Sequence, residues 1–236
     1  PARLMNDIAA DYINVDWAAG GESWQCRDNE DVNSDDCSSG SYGLTGDGVI
    51  VGVMDSGLDT AVECSSLSTC TAANAGVHGD VAGRIQYVES FYRGSCSDDG
   101  PNDPNGHGTH VVGSVLGDGS TGHAGSDDVH SGMAPGAHLY MQSVLCYYVK
   151  SNGELGGGLY TPTDYEEDIF GAAYDFGVRV HTNSWGVGPE KFSSTDECTS
   201  LCPNYYSSKT LEVDESANSM EDLMILYAMG NDGRDA

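Results

Sequence analysis

Residues 49–57 read Val-Ile-Val-Gly-Val-Met-Asp-Ser-Gly. A continuous apolar run of this kind, closed by a polar turn, is the signature of a strand buried on both faces. Working outward, further strands are expected at RIQYVES (84–90), from His138 to Val144, at VRVHT (178–182) and at MILYAM (224–229). Helices are expected between them. One follows Gly106, where Val111, Val112, Val115 and Leu116 recur at helical spacing; one runs from about Asp164 to Phe176 and is stopped by Gly177; a third covers 211–222. Strand and helix in repeated alternation predict an α/β fold, a mostly parallel β-sheet flanked by helices on both faces. Neither an internal repeat nor a linker interrupts the pattern.

In such sheets ligands bind beyond the carboxyl ends of the strands. Unusual residues stand at four such places: Asp55-Ser56-Gly57, Asn183-Ser184-Trp185-Gly186, Gly230-Asn231-Asp232-Gly233, and Asn105-Gly106-His107-Gly108 at a helix start. An aspartate at a strand end is by itself more often a turn or cap residue. A histidine between two glycines is rarer, because glycine removes bulk and lets backbone approach closely. Carboxylate first and histidine later on one sheet match the orienter and general base of nucleophilic catalysis. His78, His123, His130, His138 and His181 lack these surroundings and read as non-catalytic.

Composition narrows the function from the other side. The 236 residues carry 37 acidic and 9 basic side chains, a formal net charge of −28, so nucleic acid and anionic membrane surfaces are excluded as partners. No run approaches the about 18 to 20 apolar residues that cross a bilayer. The start at Pro1-Ala2-Arg3 suggests a processed or excised piece. The 32 glycines admit a disordered reading, but the buried-looking apolar runs favour an enzyme with many tight turns. Eight cysteines, with no C-x2-C pair, favour disulfides and a secreted, extracellular protein over structural zinc. Short loops favour pairing Cys26 with Cys37, Cys64 with Cys70 and Cys198 with Cys202, which leaves Cys96 for Cys146.

Five motifs in order, VIVGVMDSGLDT (49–60), NGHGTHVVGSVLG (105–117), GMAPGAHL (132–139), TNSWG (182–186) and AMGND (228–232), resemble those of the subtilisin-like serine proteases. The resemblance implies a subtilisin-like fold and a serine endopeptidase that cleaves protein or peptide substrates through an acyl-enzyme. It makes Asp55 the orienting carboxylate, His107 the general base, Asn231 the oxyanion donor and His110 a structural residue. Ser184, Trp185 and Gly186 become one backbone edge for an extended substrate, with Gly157, Gly158 and Leu159 opposite. It also places a cation loop at 117–132, with Asp118, Asp127 and Asp128 as expected ligands of a structural calcium ion, the alternative being a solvated acidic loop. No cofactor is expected for catalysis itself.

The family's Gly-Thr-Ser-Met-Ala-x-Pro stretch is missing. Ser219-Met220 lacks its flanking residues and precedes Asn231, so no serine here is assigned as nucleophile. Residues 1–236 are therefore expected to be the N-terminal part of a peptidase domain, incomplete at the C-terminus. Residues 1–45 would be an extension with an acidic loop, and 46–236 the sheet and helices that carry Asp, His and Asn. The C-terminal remainder, from the same gene or a second chain, would be its partner. The competing expectation is an inactive pseudoprotease acting as an acidic, calcium-dependent binding module.

Overall fold

The structure, a computed structural model, describes residues 44–59, 77–91, 102–121, 131–149, 151–152, 155–186 and 206–230. The expectations for residues 1–43, for Asn231, Asp127 and Asp128, and for every cysteine except Cys146 lie outside these residues.

Seven strands are present among them: β1 (Ile50–Asp55), β2 (Ile85–Ser90), β3 (His138–Ser143), β4 (Leu145–Val149), β5 (Leu155–Leu159), β6 (Val180–Asn183) and β7 (Met224–Tyr227). Five form one parallel sheet in the order β2-β3-β1-β6-β7, and β4 pairs antiparallel with β5 as a separate hairpin. The helices are α1 (His107–Leu116), α2 (Ala172–Phe176) and α3 (Ser208–Ser219). The expected α/β sandwich is what forms.

Alternation along β1 and β3 builds two cores. Val51, Val53, Leu139 and Met141 face α1 and bury against Val111, Val112 and Leu116. Met54 and Tyr140 face the other way, against Ile169, Phe170, Ala173 and Met220. Both faces of the sheet are thus covered over its central strands β1 and β3. Arg84 ties the far end of α1 to its surroundings, donating to the carbonyls of Leu116, Ala137 and Asp80.

Three differences from the sequence reading have local causes. The helix expected over 211–222 begins at Ser208, because Ser207 and Thr210 form a reciprocal capping box three residues earlier. The helix expected from Asp164 opens with a π-helical turn, Glu166–Gly171, before α2; Gly177, at φ 115°, ends it as expected. The β4–β5 hairpin was not foreseen, since the Gly-Gly-Gly of β5 reads as loop.

Candidate active site

Asp55 is the last residue of β1, the middle strand of the sheet. It shares the odd-numbered face of Val51 and Val53, so its carboxylate points to the α1 side. The chain builds β2 and β3 on one flank of β1 and then crosses to β6 and β7 on the other. Asp55 therefore ends at the topological switch point, where α/β sheets open a crevice.

His107 is the first residue of α1 and approaches from that side. Its Nδ1 lies 2.7 Å from Asp55 Oδ1. The carboxylate side chain is 2% exposed while the imidazole is 52% exposed, so one end of the pair is dry and the other faces solvent. A carboxylate oxygen can only accept, which makes Nδ1 the donor and leaves Nε2 of a neutral ring with its lone pair free. Ser56 N–H donates to the same Oδ1 at 2.7 Å. Asp55 Oδ2 is buried without a partner among the described residues, as are Asn183 Oδ1 and Trp185 Nε1 at the end of β6 and just beyond it. Unsatisfied polar atoms are costly and uncommon, and their gathering at neighbouring strand ends marks a functional place.

The expected substrate edges flank this pair. The β4–β5 hairpin is fastened to it, because Val144 N–H donates to Asp55 O at 2.9 Å and Tyr160 N–H donates to Val144 O. Gly157, Gly158 and Leu159 lie exposed along β5. Ser184, Trp185 and Gly186 leave β6, where Asn183 O accepts from Ala228 N–H at 3.0 Å and so holds the chain just past β7 alongside. Trp185 stands edge-on between Tyr165 and Tyr227, with ring centroids 6.4 and 5.7 Å away.

Other expected residues fare differently. His110, at the end of the first turn of α1, is exposed. Asp118 sits 3.6 Å from the Arg84 guanidinium, and its Oδ1 accepts from Ser120 N–H at 2.8 Å. Burial pushes its carboxyl up, but the Ser120 hydrogen bonds and the Arg84 charge hold it below the usual range. Among the described residues no three His, Cys, Asp or Glu side chains gather into a metal site.

Sequence reasoning missed Asp103. This residue, 5% exposed, accepts at Oδ1 from Ser56 Oγ–H (2.8 Å) and Gly106 N–H (2.9 Å), and at Oδ2 from Thr109 N–H (2.8 Å) and Thr109 Oγ1–H (2.7 Å). Its signal was present, because an aspartate ahead of Pro104-Asn105-Gly106 and a helix is a turn-and-cap pattern.

A buried polar network on the opposite face was also missed. His181 is fully buried, with Nε2 2.9 Å from Gln142 Oε1 and Nδ1 3.2 Å from Asn183 Nδ2. Gln142 Nε2 donates onward to Glu89 Oε1 at 2.8 Å. Gly52 makes the space, since a Cβ there would stand 2.5 Å from the His181 ring.

Burial pushes the His181 imidazole down to about 3. The unfolded chain takes up that proton near the ordinary value of about 6.5, so this residue's stabilisation is whole above that pH and is lost as pH falls toward 3. Burial raises the Glu89 carboxyl, which acts in the opposite sense: its contribution is present at low pH and fades as pH rises through its folded value. Between pH 7 and pH 5 the His181 effect removes about 2 kcal/mol of stability. Urea unfolding at the two pH values should show this loss in the wild type and a clearly smaller one in His181→Gln.

The sequence pattern of the subtilase family matches residues 46–236. Among solved structures, the Clostridium perfringens CspB protease is 18% identical, with 83% of this chain and 38% of that chain covered at a TM-score of 0.47. Fervidolysin from Fervidobacterium pennivorans, described as a keratinolytic enzyme related to subtilisin, is 20% identical over 78% of this chain and 21% of its own, at 0.42. MycP1 with its N-terminal propeptide removed is 17% identical over 97% and 50%, at 0.44. The chain thus spans half or less of the length of each of these neighbours.

Proposed function

The chain belongs to the subtilase family, and from that membership we propose that it forms part of a serine endopeptidase in which Asp55 orients His107 as general base. The observation that carries the proposal is the 2.7 Å bond between a buried carboxylate and a half-exposed imidazole.

With Nδ1–H held by Asp55, Nε2 takes the proton from a serine hydroxyl as the oxygen bonds to the scissile carbonyl carbon. The imidazolium so formed is held at Nδ1 by Asp55 Oδ1, and the buried negative charge of that carboxylate offsets it. Nε2 then returns the proton to the departing amine, leaving the acyl-enzyme for water to cleave. Asn231 supplies an amide donor to the oxyanion. The exposed Gly157–Leu159 edge and the Ser184–Gly186 run, half-buried at Ser184 and Trp185, take the extended peptide on either side as an added strand.

The nucleophilic serine is proposed to lie beyond residues 1–236. Among the described residues no hydroxyl bonds to His107. Met224, Leu226 and Tyr227 are 58%, 44% and 38% exposed along β7, and no described strand covers its outer edge. Parallel sheets are ordinarily covered on both faces, which supports a further segment completing the sheet there.

Secretion is proposed on the cysteines. Cys146, the one cysteine among the described residues, is disulfide-bonded rather than a free thiol, which suits an oxidising compartment. Among the described residues no helix is long and apolar enough to cross a membrane.

Incubating the full protease with an unfolded protein tests the reading. Internal cleavage abolished by a serine-directed phosphonylating reagent is expected. Cleavage that survives complete reaction with the reagent would overturn it.

A further inference from the structure

We infer that Asp103 is a positioning residue, one that sets the alignment of His107 on Asp55 by clasping the turn after β1 to the first turn of α1. The inference rests on the reading of that pair as orienter and base.

The imidazole is half exposed, and its only hydrogen bond among the described residues is the one to Asp55. Its direction is therefore governed by where the backbone of α1 starts relative to the end of β1. That relation is fixed by one carboxylate. Oδ1 of Asp103 accepts from Ser56, the neighbour of Asp55, and from Gly106, the neighbour of His107. Oδ2 takes both donors of Thr109, two residues further along the helix. Ser56 Oγ, its own proton committed to Asp103, is left to accept from Gly108 N–H at 2.7 Å. Thr109 Oγ1, likewise committed, accepts from Asp59 N–H at 2.8 Å. The strand-end turn and the helix start are thus joined twice through hydroxyls that Asp103 orients.

Asp103 also satisfies helix donors that Gly106, at φ 83° and without a side chain, cannot cap. A purely structural cap would stabilise α1 without governing catalysis. Here the same four bonds straddle both members of the pair, and proton transfer depends on Nε2 staying within about 2.6 to 3.2 Å of its partner.

In the full protease, Asp103→Ala is expected to lower kcat about a hundred-fold, the cost of an ångström-scale misplacement, with KM unchanged. Ser56→Ala, which leaves the cap to Gly106 and Thr109 in place, should lower kcat in the same direction by less. In a His107→Ala background neither substitution should lower the residual rate further, because both act through His107. In proton NMR spectra of the full protease, the low-field signal of the His107 Nδ1 proton should vanish or broaden in Asp103→Ala while circular dichroism is unchanged. Wild-type kcat in both single variants would overturn the inference, as would losses of equal factor with and without His107. Should Asp103→Ala fail to fold, the Ser56→Ala pair of measurements decides alone. Full activity of His107→Ala itself would instead remove the base assignment, an outcome distinct from failure of the clasp.

Discussion

His107→Ala and Asp55→Asn are each expected to lower turnover of the full protease by about ten-thousand-fold or more while the protein stays folded. The magnitude is the one that loss of a triad member brings in subtilisin and in other enzymes with this triad. The direction follows from the geometry. Without the imidazole nothing among the described residues can take the serine proton, since Nε2 is the one free base atom beside Asp55. Asparagine fills the space of Asp55 but removes the negative charge that the imidazolium faces. Because Asp55 is 1% exposed and Ser56 N–H still needs an acceptor, the isosteric change keeps the turn intact. Steady-state kinetics with circular dichroism on each variant checks both halves of the expectation.

Gly108→Ala gives the second large effect, this time on stability and activity together. A Cβ on Gly108 would stand 2.3 Å from Gly57 O and 2.7 Å from Gly57 N, with Ser56 Oγ at 3.1 Å. Two of the three are backbone atoms of the turn after β1, so no side chain can swing aside. Helix α1 must lift from the turn, breaking the bond from Gly108 N–H to Ser56 Oγ and drawing His107 from Asp55. The expected cost is about 1 to 3 kcal/mol of stability, with about a hundred-fold loss of kcat. Gly113→Ala in the same helix is the control, for nothing among the described residues lies within 4 Å of its added Cβ. There alanine should stabilise by about 0.5 to 1 kcal/mol through helix propensity. Thermal unfolding of the two variants separates these outcomes, and equal behaviour would refute the close approach.

What could be read in the sequence was what is local or what two distant motifs imply jointly. The β1 run and the helix after Gly106 announce themselves through apolar spacing, and the pairing of Asp55 with His107 follows from their motifs. Asp103 went unread because it is one acid among 37, and its role appears only when Ser56, 47 positions away, lies against it. His181 and Gln142 look like ordinary polar residues in strands; only the fold shows them buried and bonded to each other over Gly52. The hairpin escaped because its glycines carry no strand propensity, its pairing being supplied by β4 across the turn.

The central claim is that Asp55 and His107 activate a serine supplied from outside residues 1–236. Its most direct test is to label the full protease with a fluorophosphonate probe and map the modified residue by mass spectrometry, in wild type and in His107→Ala. The account predicts one labelled serine, C-terminal to Asn231 or on a second chain, with labelling lost in His107→Ala. Labelling of a serine within residues 1–236 that depends on His107 would contradict it and require a different triad.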